Sequence, residues 1–547
     1  MRRVNIRNAL FAFLLFLVFF ALVLRSSGIY PVVADEWVHS QSSRLSPLAM
    51  ASIPGYFYLY IYKLTSLCGD GFLNCARIIN CLFFVSSAPF IYAITREVAS
   101  RLIAILVAFL AMVGPINSYT VYFMPEAFYF MAFWIISWYV LHINQCSLKN
   151  WLCTGALIGL ASLIKPHALF LVPAIVLYMT YISRGRLSVV LWSKSISVFL
   201  LALFITKLFI GYLFAGKAGI TIFGASYGAA AASTAANMER YLTLVGLTFK
   251  NLSGHIIVIC TLFSLPLAFA FYRSLVSIFS RAEPSQQERV CVYMFFVLGI
   301  LILIVGLFTA SIANTGPYES IDRLHMRYYS FCLPVFLIIV SSMISEKGAH
   351  QGKKLLSICV ALPILGAIFY SLVTKLKIYQ SYYVDAPDLA GFMANQVFFI
   401  IFCSLSFVSV VLWLYREHLG AKFYLFIYAP LMLITSSYYI NDVLSQNRFP
   451  DEYDRAAMVT KNILNQEQLS KLHMVGSNPG LMNLTLFQLD NRSITYAYIP
   501  VDSIYDIGEP ARDRCWILII GNHSLVGNSN RFKFNGFTLL DRCDKSK

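Results

Sequence analysis

Apolar runs long enough to cross a lipid bilayer recur along most of this 547-residue chain, and they leave it few other ways to fold. Only 12% of the residues are charged and 59% are hydrophobic, which excludes a soluble protein of several domains. We predict a mainly α-helical, polytopic membrane bundle over residues 1–440. Its spans, about thirteen, are expected at 9–24, 78–95, 102–116, 127–143, 152–164, 168–182, 197–215, 255–272, 291–310, 331–344, 355–373, 389–415 and 423–440.

Basic residues lie in short clusters between these runs, a pattern that sets membrane orientation and does not form a stripe for nucleic acid. All the clusters fall on one face of the membrane if the aromatic segment 54–67 lies along the surface instead of crossing. We therefore predict a cytoplasmic amino terminus and an outward-facing first loop, 25–77.

The tail, 441–547, differs in composition from the rest of the chain. Short apolar stretches such as 493–498 and 515–520 alternate with Gly, Asn, Asp and Pro. We predict a small α/β or β-rich domain on the outer, extracytoplasmic side.

Two cysteine pairs lie on that outer side, Cys68 with Cys75 in the first loop and Cys515 with Cys543 in the tail. In an oxidising compartment each pair can form a disulfide; buried free thiols are the alternative.

Asp35 and Glu36 stand side by side in the first outer loop, where few other acids occur. A carboxylate in such a place can take a proton from a reacting group while its neighbour organises the surroundings. Glu126, in the sequence Phe-Met-Pro-Glu, is a third acid on the same face, although an acid there also favours the start of a helix. These three are the candidate catalytic residues; a solvated acidic loop is the alternative.

Other unusual polar side chains gather at the outer ends of spans. They are Lys165 and His167 in Ile-Lys-Pro-His, and Arg323, His325, Arg327 and Tyr328 before a later span. The phosphate of a membrane lipid lies at this depth, where cations bind it and stabilise negative charge as it leaves. We predict that this set binds the phosphate of a lipid-linked donor; anchoring of helix ends at the interface is the alternative.

Taken together, these features resemble the C-type glycosyltransferase superfamily. The resemblance is greatest to the protein O-mannosyltransferase and lipid A aminoarabinose transferase branch, and to glucosyltransferases that modify O-antigen. It rests on the acidic pair, the surface-lying aromatic segment, Lys-Pro after a short fifth span, Arg-Tyr before a proline-containing span, and the soluble outer tail. It implies that Asp35 is the catalytic carboxylate, that Glu36 holds the neighbouring acidic position, and that Glu126 is a second-loop acid.

The resemblance also implies a reaction. A sugar passes, with inversion, from a polyprenyl-phosphate carrier to an extracytoplasmic acceptor: O-antigen or another cell-surface glycan, a lipid or a protein. No cofactor is required by the sequence, and whether a divalent cation takes part, as in some members of the superfamily, is left open. The alternatives are an O-antigen ligase or polymerase, and a polytopic lipid or sugar transporter, which needs no catalytic acid in its outer loops.

Overall fold

The computed structural model describes residues 6–142, 147–184, 187–222, 224, 238–280, 282–313, 319–345, 354–501, 504–506, 514–521, 523–526 and 530–542. Within these residues, nine helical stretches are long and apolar enough to cross a membrane, and several shorter apolar helices accompany them. The α-helices up to residue 446 are Ile6–Ser26, Asp35–Ser40, Tyr56–Lys63, Phe72–Ser86, Ala88–Val98, Arg101–Val113, Glu126–His142, Leu148–Ser162, Leu171–Ser183, Val189–Ala215, Met238–Leu262, Ser264–Phe279, Gln286–Ile312, Val335–Ser345, Lys354–Thr374, Pro387–Met393, Gln396–Tyr415, Glu417–Phe423 and Ala429–Gln446.

The predicted spans all overlap these helices, and the prediction of a mainly α-helical membrane protein is confirmed. Three of the predicted spans, however, each cover two helices. The span 78–95 contains a turn at Ser87 with helical φ and ψ, and the other two contain breaks. The span 255–272 is interrupted at Phe263, where φ is −124° and ψ is 38°. The span 389–415 is divided where the Asn395 side chain accepts hydrogen bonds from the N–H groups of Val397 and Phe398 and so starts a new helix. The sequence around Phe263 is apolar and the polar pair Asn395 and Gln396 is short, so average hydropathy did not reveal either break.

The segment predicted to lie on the membrane surface forms the helix Tyr56–Lys63 and a following 3₁₀ stretch, Leu64–Gly71. Eight helical residues extend for about 12 Å, well short of the bilayer core. The backbone then turns at Gly69, whose φ of 54° favours glycine, before the helix Phe72–Ser86 begins. The predicted Cys68–Cys75 disulfide is present and closes this bend.

Close packing of two helices fixes the turn that carries Lys165. A Cβ atom on Gly155 would lie 2.1 Å from the carbonyl oxygen of Phe199, and one on Gly159 would lie 2.6 Å from that of Leu203. Glycines four residues apart allow Leu148–Ser162 to approach the backbone of Val189–Ala215 this closely, as is common between membrane helices. The first of these helices ends at Ser162, three residues before Lys165, so the packed pair positions the turn that carries Lys165.

The tail is an α/β domain, in agreement with the prediction. Its strands are β1 Leu472–Gly476, β2 Thr495–Tyr498, β3 Ile504–Asp506, β4 Trp516–Ile520, β5 Ser524–Val526, β6 Asn530–Lys533 and β7 Phe537–Asp541. Five form a mixed sheet in the order β2-β1-β4-β7-β6, parallel from β2 to β4 and antiparallel beyond, while β3 and β5 pair separately in parallel. The helices are Glu452–Ile463, Gln466–Ser470 and Pro479–Leu489. The predicted stretches 493–498 and 515–520 contain β2 and β4.

Two predictions about the tail remain untested. The helix Ala429–Gln446 continues past residue 440, so the boundary between 440 and 441 stays a prediction. Cys543 lies outside the described residues, and with it the predicted pairing with Cys515.

Candidate active site

Five separate parts of the chain, 35–39, 52–59, 124–126, 164–167 and 327–328, converge on one cavity of about 220 Å³. The helix Asp35–Ser40 forms one wall, and the start of Tyr56–Lys63 forms another. The polar side chains that line the cavity include Asp35, His39, Tyr58, Glu126, Lys165, His167, Arg327 and Tyr328. Six of the nine predicted site residues are therefore brought together, and Glu36, Arg323 and His325 do not line the cavity.

Asp35 offers an accessible carboxylate. It is the first residue of the helix Asp35–Ser40, where an acid interacts favourably with the helix dipole. Its side chain is 49% exposed, and Oδ2 lies 3.3 Å from Nη1 of Arg327. The carboxylate thus faces the cavity and is held by one cation, with room for a reacting group beside it.

Glu36 has the opposite environment and is buried. Its Oε1 accepts hydrogen bonds from the N–H groups of Val32 (2.7 Å) and Val33 (3.0 Å), and Oε2 accepts one from Phe123 (2.8 Å). Burial raises the pKa of Glu36, although Arg77 and the backbone N–H groups favour the charged form. These contacts tie the start of the Asp35 helix to the loop before Glu126.

Glu126 and Lys165, which also line the cavity, form a buried ion pair, with Nζ 2.9 Å from Oε1. Burial lowers the pKa of Lys165, whereas the neighbouring Glu126 favours its charged form. Oε2 of Glu126 has no hydrogen-bond partner in the described part of the chain. Lys165 Nζ also lies 5.3 Å from the centre of the Tyr328 ring, on which the ring of His167 is stacked at 4.3 Å.

Arg327 connects the cavity to a cluster of charges behind it. Its Nη1 contacts Asp35, its Nη2 donates to the Tyr328 hydroxyl at 3.4 Å, and its Nε lies 3.3 Å from Oδ1 of Asp385. A single guanidinium therefore touches the accessible carboxylate and a buried one at the same time. Such a group is held firmly while one edge faces the cavity.

Arg323 and His325 belong to the cluster behind the cavity. Arg323 Nε donates to Oδ2 of Asp385 at 2.7 Å, and its Nη1 lies 3.2 Å from Glu319. The two nitrogens of His325 lie 3.8 Å from Asp385 and 3.6 Å from Glu319. Burial opposes ionisation of Asp385, but Arg327, His325 and Arg323 outweigh it, and the pKa of this carboxyl falls below its usual range.

His39 and Asp385 were missed from the sequence. His39 follows Asp35 by four residues, which places both on one face of a helix, but the sequence predicted a loop here. Burial lowers the pKa of His39 despite the nearby carboxylates of Glu126 and Asp35. Asp385 lies between two predicted spans, 355–373 and 389–415, in no recognisable motif. Among the described residues, no three His, Cys, Asp or Glu side chains are placed to hold a metal ion.

Residues 54–210 match the family model described as dolichyl-phosphate-mannose-protein mannosyltransferase. This region includes Glu126, Lys165 and His167 but neither Asp35 nor Arg327. The match confirms the resemblance to the C-type glycosyltransferases over residues 54–210, less than a third of the chain, and indicates a membrane glycosyltransferase. No curated protein matches the chain by sequence.

Solved structures of low sequence identity also align with the chain. ArnT from Cupriavidus metallidurans in the apo state is 11% identical, with 98% of each chain covered and a TM-score of 0.46. The oligosaccharyltransferase of Archaeoglobus fulgidus tethered to an acceptor peptide is 13% identical, with 89% of this chain and 64% of that chain covered and a TM-score of 0.40. The chain thus spans less than two thirds of the archaeal enzyme.

Proposed function

We propose that the chain transfers a sugar from a polyprenyl-phosphate-linked donor to an extracytoplasmic acceptor, with inversion at the anomeric carbon. One observation carries the proposal: the half-exposed carboxylate of Asp35 touches Arg327 at a cavity that Lys165 also lines. A base and two cations that can bind a phosphate therefore share one space.

In the proposed reaction, Asp35 takes the proton from an acceptor hydroxyl or amine as its oxygen or nitrogen attacks the anomeric carbon. The bond from that carbon to the donor's phosphate oxygen breaks, and the electron pair leaves with the lipid phosphate. Arg327 and Lys165 stabilise the negative charge that develops there. A single displacement from the face opposite the phosphate inverts the anomeric centre.

The other predicted site residues take supporting roles in this proposal. Glu126 acts through Lys165, because its Oε1 already holds the ammonium group. Arg323 and His325 act through Asp385, which holds Arg327. His167 and Tyr328 form an aromatic wall beside Lys165, close enough to contact a bound donor. Glu36 fixes the start of the Asp35 helix.

The decisive variant is Asp35→Asn, which keeps the shape of the side chain but removes the base. Transfer measured with a polyprenyl-phosphate sugar and purified protein should fall about 10²- to 10⁴-fold. Asp70→Asn is the matched control, since Asp70 lies in the same outer loop but does not line the cavity. Wild-type transfer by Asp35→Asn would overturn the role of Asp35 as the base, whereas absence of transfer by the wild-type protein itself would favour the transporter alternative.

Arg327 and Lys165 already supply positive charge for the phosphate, so we propose that transfer needs no divalent cation. Activity should persist in excess EDTA. A loss that Mg²⁺ or Mn²⁺ restores would instead place a cation between Asp35 and the donor phosphate, where a carboxylate and phosphate oxygens suit such an ion.

For the acceptor we propose O-antigen or another cell-surface glycan or lipid, with the protein in a bacterial inner membrane and its amino terminus cytoplasmic. The one-sided basic clusters support this orientation, and the resemblance to O-antigen-modifying enzymes supports the acceptor class. Mass spectrometry of lipopolysaccharide and lipid-linked glycans from cells with and without the protein would identify both substrates. A reporter fused at Ser546 that is active only in the cytoplasm would refute the orientation.

A further inference from the structure

A bidentate ion pair joins the first outer loop to the tail domain. Nη1 and Nη2 of Arg44 each lie 2.8 Å from one carboxylate oxygen of Asp490. The two side chains are only 5% and 18% exposed. Two parallel hydrogen bonds with little exposure to solvent fix the relative orientation of the two side chains and also attract them to each other.

Asp490 is poorly placed for the stability of its own helix. It ends the helix Pro479–Leu489 in the left-handed conformation, with φ 52° and ψ 41°, where glycine is usual. A negative charge at that end also opposes the helix dipole. Because both features are unfavourable locally, the carboxylate is better explained by its contact with Arg44.

Arg44 belongs to the same continuous helical segment as Asp35. The helix Asp35–Ser40 passes directly into the π-helical turn Gln41–Leu45, so residues 35–45 form one unit, the Asp35 segment. Within it, Arg44 Nη1 donates to Oγ of Ser40 at 3.1 Å. Its guanidinium also lies 3.4 Å from the centre of the Phe72 ring. Movement of Arg44 would therefore carry Asp35 with it.

The two ends of the Asp35 segment are held by different parts of the protein. Glu36 fixes the beginning through the N–H of Phe123 in the membrane domain. Asp490 of the tail fixes the end through Arg44. Phe487, in the same tail helix, packs against Phe72 at 5.1 Å and so reinforces the second attachment.

We propose that Arg44 and Asp490 are positioning residues for Asp35, so that the tail domain sets the rate of sugar transfer by holding the Asp35 segment in register with the cavity. This inference rests on the proposed role of Asp35. A displacement of about 1 Å at a reacting group can cost up to 100-fold in rate. Binding of the donor, by contrast, depends on Lys165 and Arg327, which lie on other segments.

The test compares Asp490→Asn, Arg44→Lys and the double variant in the transfer assay. Asparagine tolerates the left-handed conformation, so Asp490→Asn removes charge without a backbone conflict. Each single variant should lower kcat about 10- to 100-fold, with the donor KM unchanged, when assayed well below its own unfolding temperature. The double variant should be no worse than the more affected single variant, since the pair acts as a unit.

Lys461→Gln is the matched control, because the Lys461–Asp70 pair also joins the outer loop to the tail but is more exposed. It should leave kcat unchanged. Wild-type kcat in both Asp490→Asn and Arg44→Lys would overturn the inference while leaving the proposed function standing. So would a fall in kcat that is fully accounted for by a smaller folded fraction at the assay temperature. Wild-type activity in Asp35→Asn would instead remove the proposed catalytic role of Asp35, and absence of transfer by the wild-type protein would remove the proposed function itself.

Discussion

Replacing Arg327 with lysine tests the proposed phosphate site most sharply. Arg327 uses three nitrogens for three partners: Nη1 for Asp35, Nε for Asp385 and Nη2 for Tyr328. Lysine offers one nitrogen, so it keeps the charge but cannot hold Asp385 and also present donors to a phosphate. The Arg327 side chain is only 14% exposed, and its charged hydrogen bonds are little weakened by solvent. The loss of one such bond to the leaving phosphate costs about 1.5–3 kcal/mol, which lowers kcat/KM about 10- to 150-fold.

The assay is donor-dependent transfer by protein in lipid nanodiscs, with kcat/KM and donor affinity measured separately. Arg323→Lys is the control, since Arg323 contacts the same Asp385 but does not line the cavity. It should affect thermal unfolding more than donor affinity. Near wild-type kcat/KM in Arg327→Lys would refute the reasoning. An equal loss of donor affinity in Arg323→Lys would show that the phosphate lies nearer the Asp385 cluster than the cavity suggests.

Three further predictions concern the buried charges. Lys165→Met leaves the carboxylate of Glu126 buried without its counter-charge and should cost about 3–5 kcal/mol of unfolding free energy; adding Glu126→Gln should recover part of it, as checked by thermal unfolding in detergent. Glu36→Gln places an amide N–H against a backbone N–H and should cost about 1–3 kcal/mol, with a fall in kcat as the Asp35 helix loosens. Asp385→Asn should lower the unfolding temperature at neutral pH. The pKa of Asp385 is depressed below its ordinary 3.8, so the ionised carboxylate stabilises the wild type fully above pH 3.8, and the difference in unfolding temperature between wild type and variant should shrink as the pH falls below 3.8.

The membrane helices were predictable from sequence because the thickness of the bilayer core sets the length and apolar composition of a spanning helix, and both are local properties of the sequence. The breaks at Phe263 and Asn395 were not, since hydropathy does not record where the backbone leaves the helical conformation, as at Phe263, or where one side chain caps a new helix, as at Asn395. The helix Asp35–Ser40 was missed for a related reason. It is short and partly polar, and its form depends on Glu36 reaching the N–H of Phe123, 87 residues away.

The convergence of the site followed from a single idea, that polar residues at the outer ends of spans share one face of the membrane. This idea brought Asp35, Lys165 and Arg327 together correctly. It did not predict which of the three residues 323, 325 and 327 faces the cavity. The difference arises from Asp385. Arg323 and His325 contact this carboxylate outside the cavity, whereas Arg327 contacts both Asp385 and the cavity residue Asp35.

The acidic pair shows why neighbouring residues of one type need not share a role. Successive side chains on a helix point about 100° apart, so Asp35 and Glu36 cannot both face the cavity. The three N–H groups of Val32, Val33 and Phe123 would lack partners at the loop junction without a buried acceptor, and Glu36 supplies one. Held by those contacts, the helix presents Asp35 in one orientation, half exposed and against a single cation. Glu36 is buried against those donors and cannot reach the proton of a substrate, whereas the carboxylate of Asp35 can, because it is left accessible at the cavity.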